Sequence, residues 1–251
     1  MTLQSNTLVG VVMVVLAIIL ILVFSIPRKK AARAVWRPIP ALQRLKRAIG
    51  LSVEAGTRLH ISMGKSSLLS PSAASALVSL SMLERIALLS SVSDRPPVVT
   101  SGDGALSILS QDSLKSAYRL ANMIELYSPE RGILAGVTPF SYVAGTIPVM
   151  NDQQISANIL LGNFGPEAAL LAEASEQSNM YTLAASDSLP AQAVLFATAR
   201  DTLIGEELFA APTYLGAGNS HQASLKTQDI LRWGIIAALF GGALLKFTGI
   251  I

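Results

Sequence analysis

The chain has 251 residues, of which 51% are hydrophobic and only 14% charged, and its mean hydropathy is +0.50. Such a composition excludes a disordered or low-complexity protein. The absence of Cys excludes disulfides, thiolate catalysis, Fe–S clusters and Cys-ligated zinc, and two His, His60 and His221, leave almost no basis for a multi-histidine metal site.

Residues 8–26 (LVGVVMVVLAIILILVFSI) form a run of 19 without a charge. At 1.5 Å per residue a helix of this length covers roughly 28 Å, close to the hydrocarbon thickness of a bilayer. A cleaved signal peptide would place its positive charge before the apolar run. Here residues 1–7 carry no charged side chain and the basic residues follow, so a retained anchor is expected at 1–26. Arg28, Lys29, Lys30, Arg33, Arg37, Arg44, Lys46 and Arg47 make an acid-free basic collar. With those eight set aside, the remaining 11 basic residues face 16 acids, a net charge of −5. The collar therefore reads as a topology signal that also meets anionic lipid, and no nucleic-acid partner is expected.

Within the juxtamembrane stretch 27–56, Leu42, Leu45, Ile49 and Val53 recur at steps of three and four, with Arg44, Lys46 and Arg47 on other faces. This predicts an amphipathic helix over 38–55, fit to lie on a membrane or to pack on a domain. From residue 57 to 228, short apolar runs alternate with helical ones. Strands are expected at 58–63, 97–100, 132–137, 156–162 and 180–185, with a weaker one at 202–204. Helices are expected at 71–92, 104–122, 139–151, 166–178 and 189–199. Ser70 before Pro71 offers an N-cap with Pro at the first helical position. Alternation with crossovers of this length implies an α/β domain with a doubly wound (Rossmann-like), mostly parallel sheet.

The C-terminal segment, 229–251, contains WGIIAALFGGALLKFTGII from Trp233 to Ile251. Its one charge, Lys246, can snorkel near the far end, and Trp233 suits a membrane interface. Gly234, Ala238 and Gly242 lie at four-residue steps, a small-xxx-small face for close helix packing. That face could join two chains, or could merely let the second span pack on the first. The positive-inside rule then places both termini outside, the middle of the chain in the cytoplasm, and the protein in the cell inner membrane.

Ligands of a doubly wound sheet bind at strand carboxyl ends, where helix N-termini point. The candidate ligand-binding residues on these loops are Gly64, Ser66, Gly102, Asp103, Thr138, Gly162, Gly165 and Glu167. Turning and capping alone also explain such residues. GKSS at 64–67 lacks the first glycine of a P-loop, since position 59 is Leu59. GDGALS at 102–107 has Ser107 in place of the third glycine of a dinucleotide fingerprint, and Asp103 would repel pyrophosphate. Glu206 and Glu207 could bind a cation, though a helix start explains them better. No G-x-S-x-G elbow occurs, and His60, inside an expected buried strand, reads as a satisfied core residue. No catalytic residue, metal ligand or cofactor is expected, which leans against an enzyme.

The segments PIPALQRL, RLHISMG, SAASALVSLSMLERIA, PPVVTSGD, GVTPFSYVAG, ISANILLGNFGPEAALLAEA, IGEELFAAPTYLG and SLKTQDILRW together resemble a family of bacterial membrane proteins, an uncharacterised domain of unknown function found in green non-sulfur bacteria and relatives. The resemblance covers roughly residues 38–233. It implies one architectural unit and brings no activity or functional residues. The expected function is a non-catalytic, membrane-anchored α/β module that assembles with itself or with other membrane-protein subunits. The alternative is an enzyme or sensor binding a small anionic ligand, such as a nucleotide, at the strand-end crevice. A pore or transporter subunit has little support, because two spans per chain cannot enclose a pathway and only Lys246 is charged within them.

Overall fold

The computed structural model describes residues 2–26, 36–152 and 154–248. Arg28, Lys29, Lys30 and Arg33 of the basic collar lie outside the described residues. The chain divides into two compact units. One joins residues 1–36 to 217–251, and the other is Arg37–Gly216.

The α/β unit opens with helix α2 (Pro40–Glu54), started by Pro40 at its first position after the extended Ile39. Then follow β1 (Arg58–Gly64), α3 (Ala73–Leu89), β2 (Val98–Ser101), α4 (Gly104–Leu120), β3 (Gly132–Leu134), α5 (Pro139–Asp152), β4 (Ile155–Asn163), α6 (Ala168–Gln177), β5 (Tyr181–Ser186), α7 (Leu189–Thr198), β6 (Asp201–Leu203) and α8 (Glu207–Tyr214). Two 3₁₀ turns, Ile124–Leu126 and Pro129–Arg131, bridge α4 and β3.

The six strands form one parallel sheet in the order β3-β2-β1-β4-β5-β6. Parallel neighbours demand crossovers, and the intervening helices supply them. The order runs outward from β1 in one direction, then from β4 in the other, so the connections reverse between β1 and β4. Two apolar clusters fill the two faces. Leu59, Ile61, Met63, Val99, Ile159, Leu161 and Leu183 meet α2, α3, α4 and α8. Leu160 and Ala184, one position out of phase, meet α5, α6 and α7. Period-two alternation along each strand thus feeds both layers.

Helix α2 packs on this unit: Ala41, Leu42, Leu45 and Ile49 are buried in the first cluster. The choice that periodicity left open is settled in favour of the domain. A polar clamp reinforces it. The Arg44 guanidinium reaches the buried Asp201 carboxylate at the head of β6, with Nε 2.8 Å from both oxygens. The Tyr181 hydroxyl donates to Asp201 Oδ2 at 2.8 Å. Burial first, then Asp201, pushes the Tyr181 phenol up, while the hydrogen bond to Asp201 raises Arg44.

Several expected boundaries shift for local reasons. Strand β3 is three residues long, because the chain leaves the sheet to cap α5. Helix α3 starts at Ala73, so Pro71 lies in the preceding turn, and Ser70 bonds Ser67 O and Ser72 Oγ instead of capping it. Helix α6 starts at Ala168, leaving Pro166 in a turn as well.

The other unit contains α1 (Thr2–Ser25) and α9 (Asn219–Phe247), which pack on each other. Within α9, Ser220–Phe247 is long and apolar enough to cross a membrane, and none of its apolar window is buried. The described apolar stretch of α1 is shorter, Gly10–Ser25. Helix α9 begins 14 residues before Trp233, since nothing in NSHQASLKTQDILR breaks a helix.

Candidate functional site

All eight candidate ligand residues stand at the carboxyl edge of the sheet, as their loops require, yet each does structural work there. Gly64 and Gly162 have φ of +62° and +143°, and a Cβ at either would come within 2.3 Å of backbone oxygen on the neighbouring strand. Only glycine allows that approach. The loops then bond one another. Lys65 N–H donates to Asn163 O at 2.9 Å, and Gly102 N–H donates to Gly64 O at 2.8 Å. Ser66 Oγ accepts from Asn163 N–H at 2.7 Å and donates to Met63 O at 3.1 Å. The ends of β1 and β4, where the order reverses, are thereby stitched together.

The remaining residues cap helices or turns. Asp103 is extended and accepts from Leu106 N–H at 2.9 Å, a side-chain N-cap on α4. Thr138 and Ser141 bond reciprocally across the first turn of α5. Glu167 Oε1 accepts from Gly165 N–H at 3.1 Å.

An open cleft of about 550 Å³ lies farther along the same edge, over β4, β5 and β6. Its lining includes Ser72, Asn163, Asp187, Gln192, Gly205 and Phe209, and none of the eight candidates. Asn163 Nδ2 donates to Asp187 Oδ1 at 2.7 Å, and Gln192 Oε1 accepts from Gly205 N–H at 3.0 Å. One carboxylate among amides suits hydroxyl or amine groups better than a phosphate. No spacing in the sequence singles these residues out.

Apolar side chains stand exposed around that edge. Leu69 is 100% exposed, Leu189 76%, Phe140 72% and Val137 70%. They follow β1, β5 and β3, so different loops contribute to one edge.

Beneath the edge, a continuous polar line crosses the α5/α6 face of the sheet. Ser175 Oγ donates to Leu171 O at 2.7 Å and accepts from Asn158 Nδ2 at 2.6 Å. Asn158 Oδ1 lies 2.7 Å from His60 Nδ1, and His60 Nε2 lies 2.9 Å from Thr100 Oγ1. Thr100 Oγ1 in turn lies 3.1 Å from the Tyr142 hydroxyl. Tyr142 also takes Gly64 N–H at 3.2 Å and pairs with Ser62 Oγ at 2.5 Å. Every donor finds an acceptor if Nδ1 carries the proton of a neutral imidazole. Burial pushes His60 down to about 4 and pushes the Tyr142 phenol up. His60 is thus a satisfied core histidine.

In α9, Gly234, Ala238 and Gly242 are exposed. A Cβ at Gly234 or Gly242 would meet nothing within 4 Å among the described residues. From Leu231 onward the partly covered residues of α9 are Leu231, Ile236 and Gly241, and Gly241 lies one heptad from Gly234. Among the described residues no group of three His, Cys, Asp or Glu side chains gathers to hold a metal.

A family model described as a domain of unknown function (DUF6754) matches residues 2–251. The chain belongs to that family. No curated protein and no solved structure matches it.

Proposed function

We propose that the protein is a membrane-anchored α/β module that works by association, with copies of itself or with other membrane-protein subunits, and not by catalysis. In this reading α1 and α9 both span the cell inner membrane. The basic collar holds residues 27–232 on the cytoplasmic side, and both termini lie outside. The observation that carries the reading is the exposed small-residue stripe of α9, Gly234, Ala238 and Gly242, where a Cβ at either glycine would meet nothing within 4 Å among the described residues. Such a face lets two backbones approach closely in lipid, where apolar burial alone gives no preference.

Mass photometry of the detergent-solubilised protein tests it. The particle is expected to exceed the mass of one chain, and Gly234→Leu with Gly242→Leu should shrink it. A wild-type particle of one chain, or a double variant of unchanged size, defeats assembly through the span.

A second reading has its own support. The order 3-2-1-4-5-6 is that of Rossmann-like dinucleotide-binding sheets, and the cleft over β4 to β6 could take a small molecule. The stitched β1 and β4 loops weaken it at the switch point itself. A saturable heat on titrating a nucleoside or nucleotide panel, lost in Asp187→Ala, would move the assignment to this reading.

A further inference from the structure

The amino edge of the sheet differs in chemistry from the carboxyl edge. Arg58 opens β1, Arg131 immediately precedes β3, and Arg95 lies three residues before β2. These strands are neighbours in the order β3-β2-β1. Since His60 pairs with Val98, Arg58 is level with Pro96, beside Arg95. Since Val99 pairs with Gly132, Arg131 is level with Val98. The register thus brings three half-buried guanidinium-bearing residues, one after the α2–β1 turn and one from each of two crossovers, to one corner.

Two further facts concern what that corner holds. Arg58 lies below its ordinary pKa, through burial first and then through the positive charges of Arg131 and Arg95. Tyr118, on the last turn of α4, senses Arg58 and Arg131 electrostatically. It is 1% exposed, and its hydroxyl has no hydrogen-bond partner among the described residues. A buried hydroxyl left so costs about 1–3 kcal/mol. Burial pushes this phenol up to about 12, so it stays a donor at neutral pH. Arg95 is held by the neutral Gln154 side chain, and Arg58 and Arg131 already engage other groups of the fold. An added anion would join a network already in place.

We propose that Arg58, Arg95, Arg131 and the Tyr118 hydroxyl bind a phosphate group at the amino edge of the sheet. Three clustered guanidiniums match a multiply charged tetrahedral anion better than a single carboxylate, which one arginine fork satisfies. The phosphate could belong to an anionic lipid headgroup or to a free phosphate compound. The site is independent of how the spans assemble.

The test uses the full chain in phosphatidylcholine nanodiscs and isothermal titration with inorganic phosphate at constant ionic strength. Saturable binding is expected. Arg95→Gln should weaken it about tenfold, and Tyr118→Phe, which keeps the ring and the fold, about fivefold. A second titration in nanodiscs containing phosphatidylglycerol separates the sources. Loss of the phosphate heat there assigns the site to a lipid headgroup, and an unchanged heat assigns it to free phosphate. No saturable binding in phosphatidylcholine, or equal affinity in wild type and both variants, overturns the proposal.

Discussion

Asn158 and Ile159 are consecutive residues of β4, both wholly buried, and they point into layers built in different ways. Ile159 enters a cluster of aliphatic side chains under α3 and α8, where any shape that fills the space will serve. Asn158 enters a layer that also contains His60, Thr100, Ser62, Ser175 and Tyr142, and there each group needs a partner in a set direction. The first layer derives most of its stability from area removed from water, while the second adds to its own apolar cluster a line of directional bonds that fix α5 and α6 against the sheet. The comparison teaches where the fold tolerates change and where it does not.

The largest effect should come from the aliphatic layer. Ile159→Ala removes three carbons from a site with no exposure and is expected to cost about 4 kcal/mol. Hydrogen exchange of the β4 amides in the full chain reads that loss directly. A cost under about 1 kcal/mol would mean the layer collapses around the gap and packing is not what holds it.

The next effect belongs to the polar layer and depends on pH. His60 has its folded pKa near 4, below the ordinary 6.5. The unfolded chain therefore takes up a proton between those values and the folded chain does not. Stability from His60 is present above pH 6.5 and falls as the pH drops to about 4, by an amount on the order of 3 kcal/mol. The expected result is a steeper acid loss in wild type than in His60→Gln over that window. Equal slopes would mean the imidazole is accessible to protons in the folded state.

The aliphatic layer was readable in the chain, and the polar line was not, for a physical reason. Leu42, Leu45 and Ile49 announce their helix because neighbours three and four apart share its face. Five crossovers of helical length announce a parallel sheet, although the pairing of β1 with β4, across residues 65–154, needs the folded order. RLHISMG alternates apolar Leu59, Ile61 and Met63 with polar His60 and Ser62, and that alternation was the available clue to a polar layer. Its partners come from positions 40, 80 and 98 residues away, which no local spacing encodes. Of helix α8 only the start at Glu206 and Glu207 was legible, since Pro212 inside it hides the rest. At the strand ends, glycine and Asp103 looked alike whether they cradle a ligand or close a turn. Only the distances across the β1 and β4 loops separate the two uses.

The smallest effect gives the sharpest test of the comparison, because it changes the same atom on each face. Tyr118 and Tyr142 are both 1% exposed, one in each layer. The Tyr142 hydroxyl is held by Ser62, Gly64 N–H and Thr100. Removing it in Tyr142→Phe leaves the Gly64 amide and the Ser62 hydroxyl without their acceptor in a dry layer, and about 2 kcal/mol should be lost. The Tyr118 hydroxyl has no such partner among the described residues. In phosphate-free buffer Tyr118→Phe deletes a group that is desolvated without a hydrogen bond, so stability should stay within about 0.5 kcal/mol of wild type or rise slightly. Urea unfolding of the two variants, side by side in the same nanodiscs, measures the difference. If both cost the same, the tyrosine rings alone matter and the polar line is a passenger. If only Tyr142→Phe is costly, directional bonding adds to packing on one face of this sheet, while packing suffices around Tyr118 on the other.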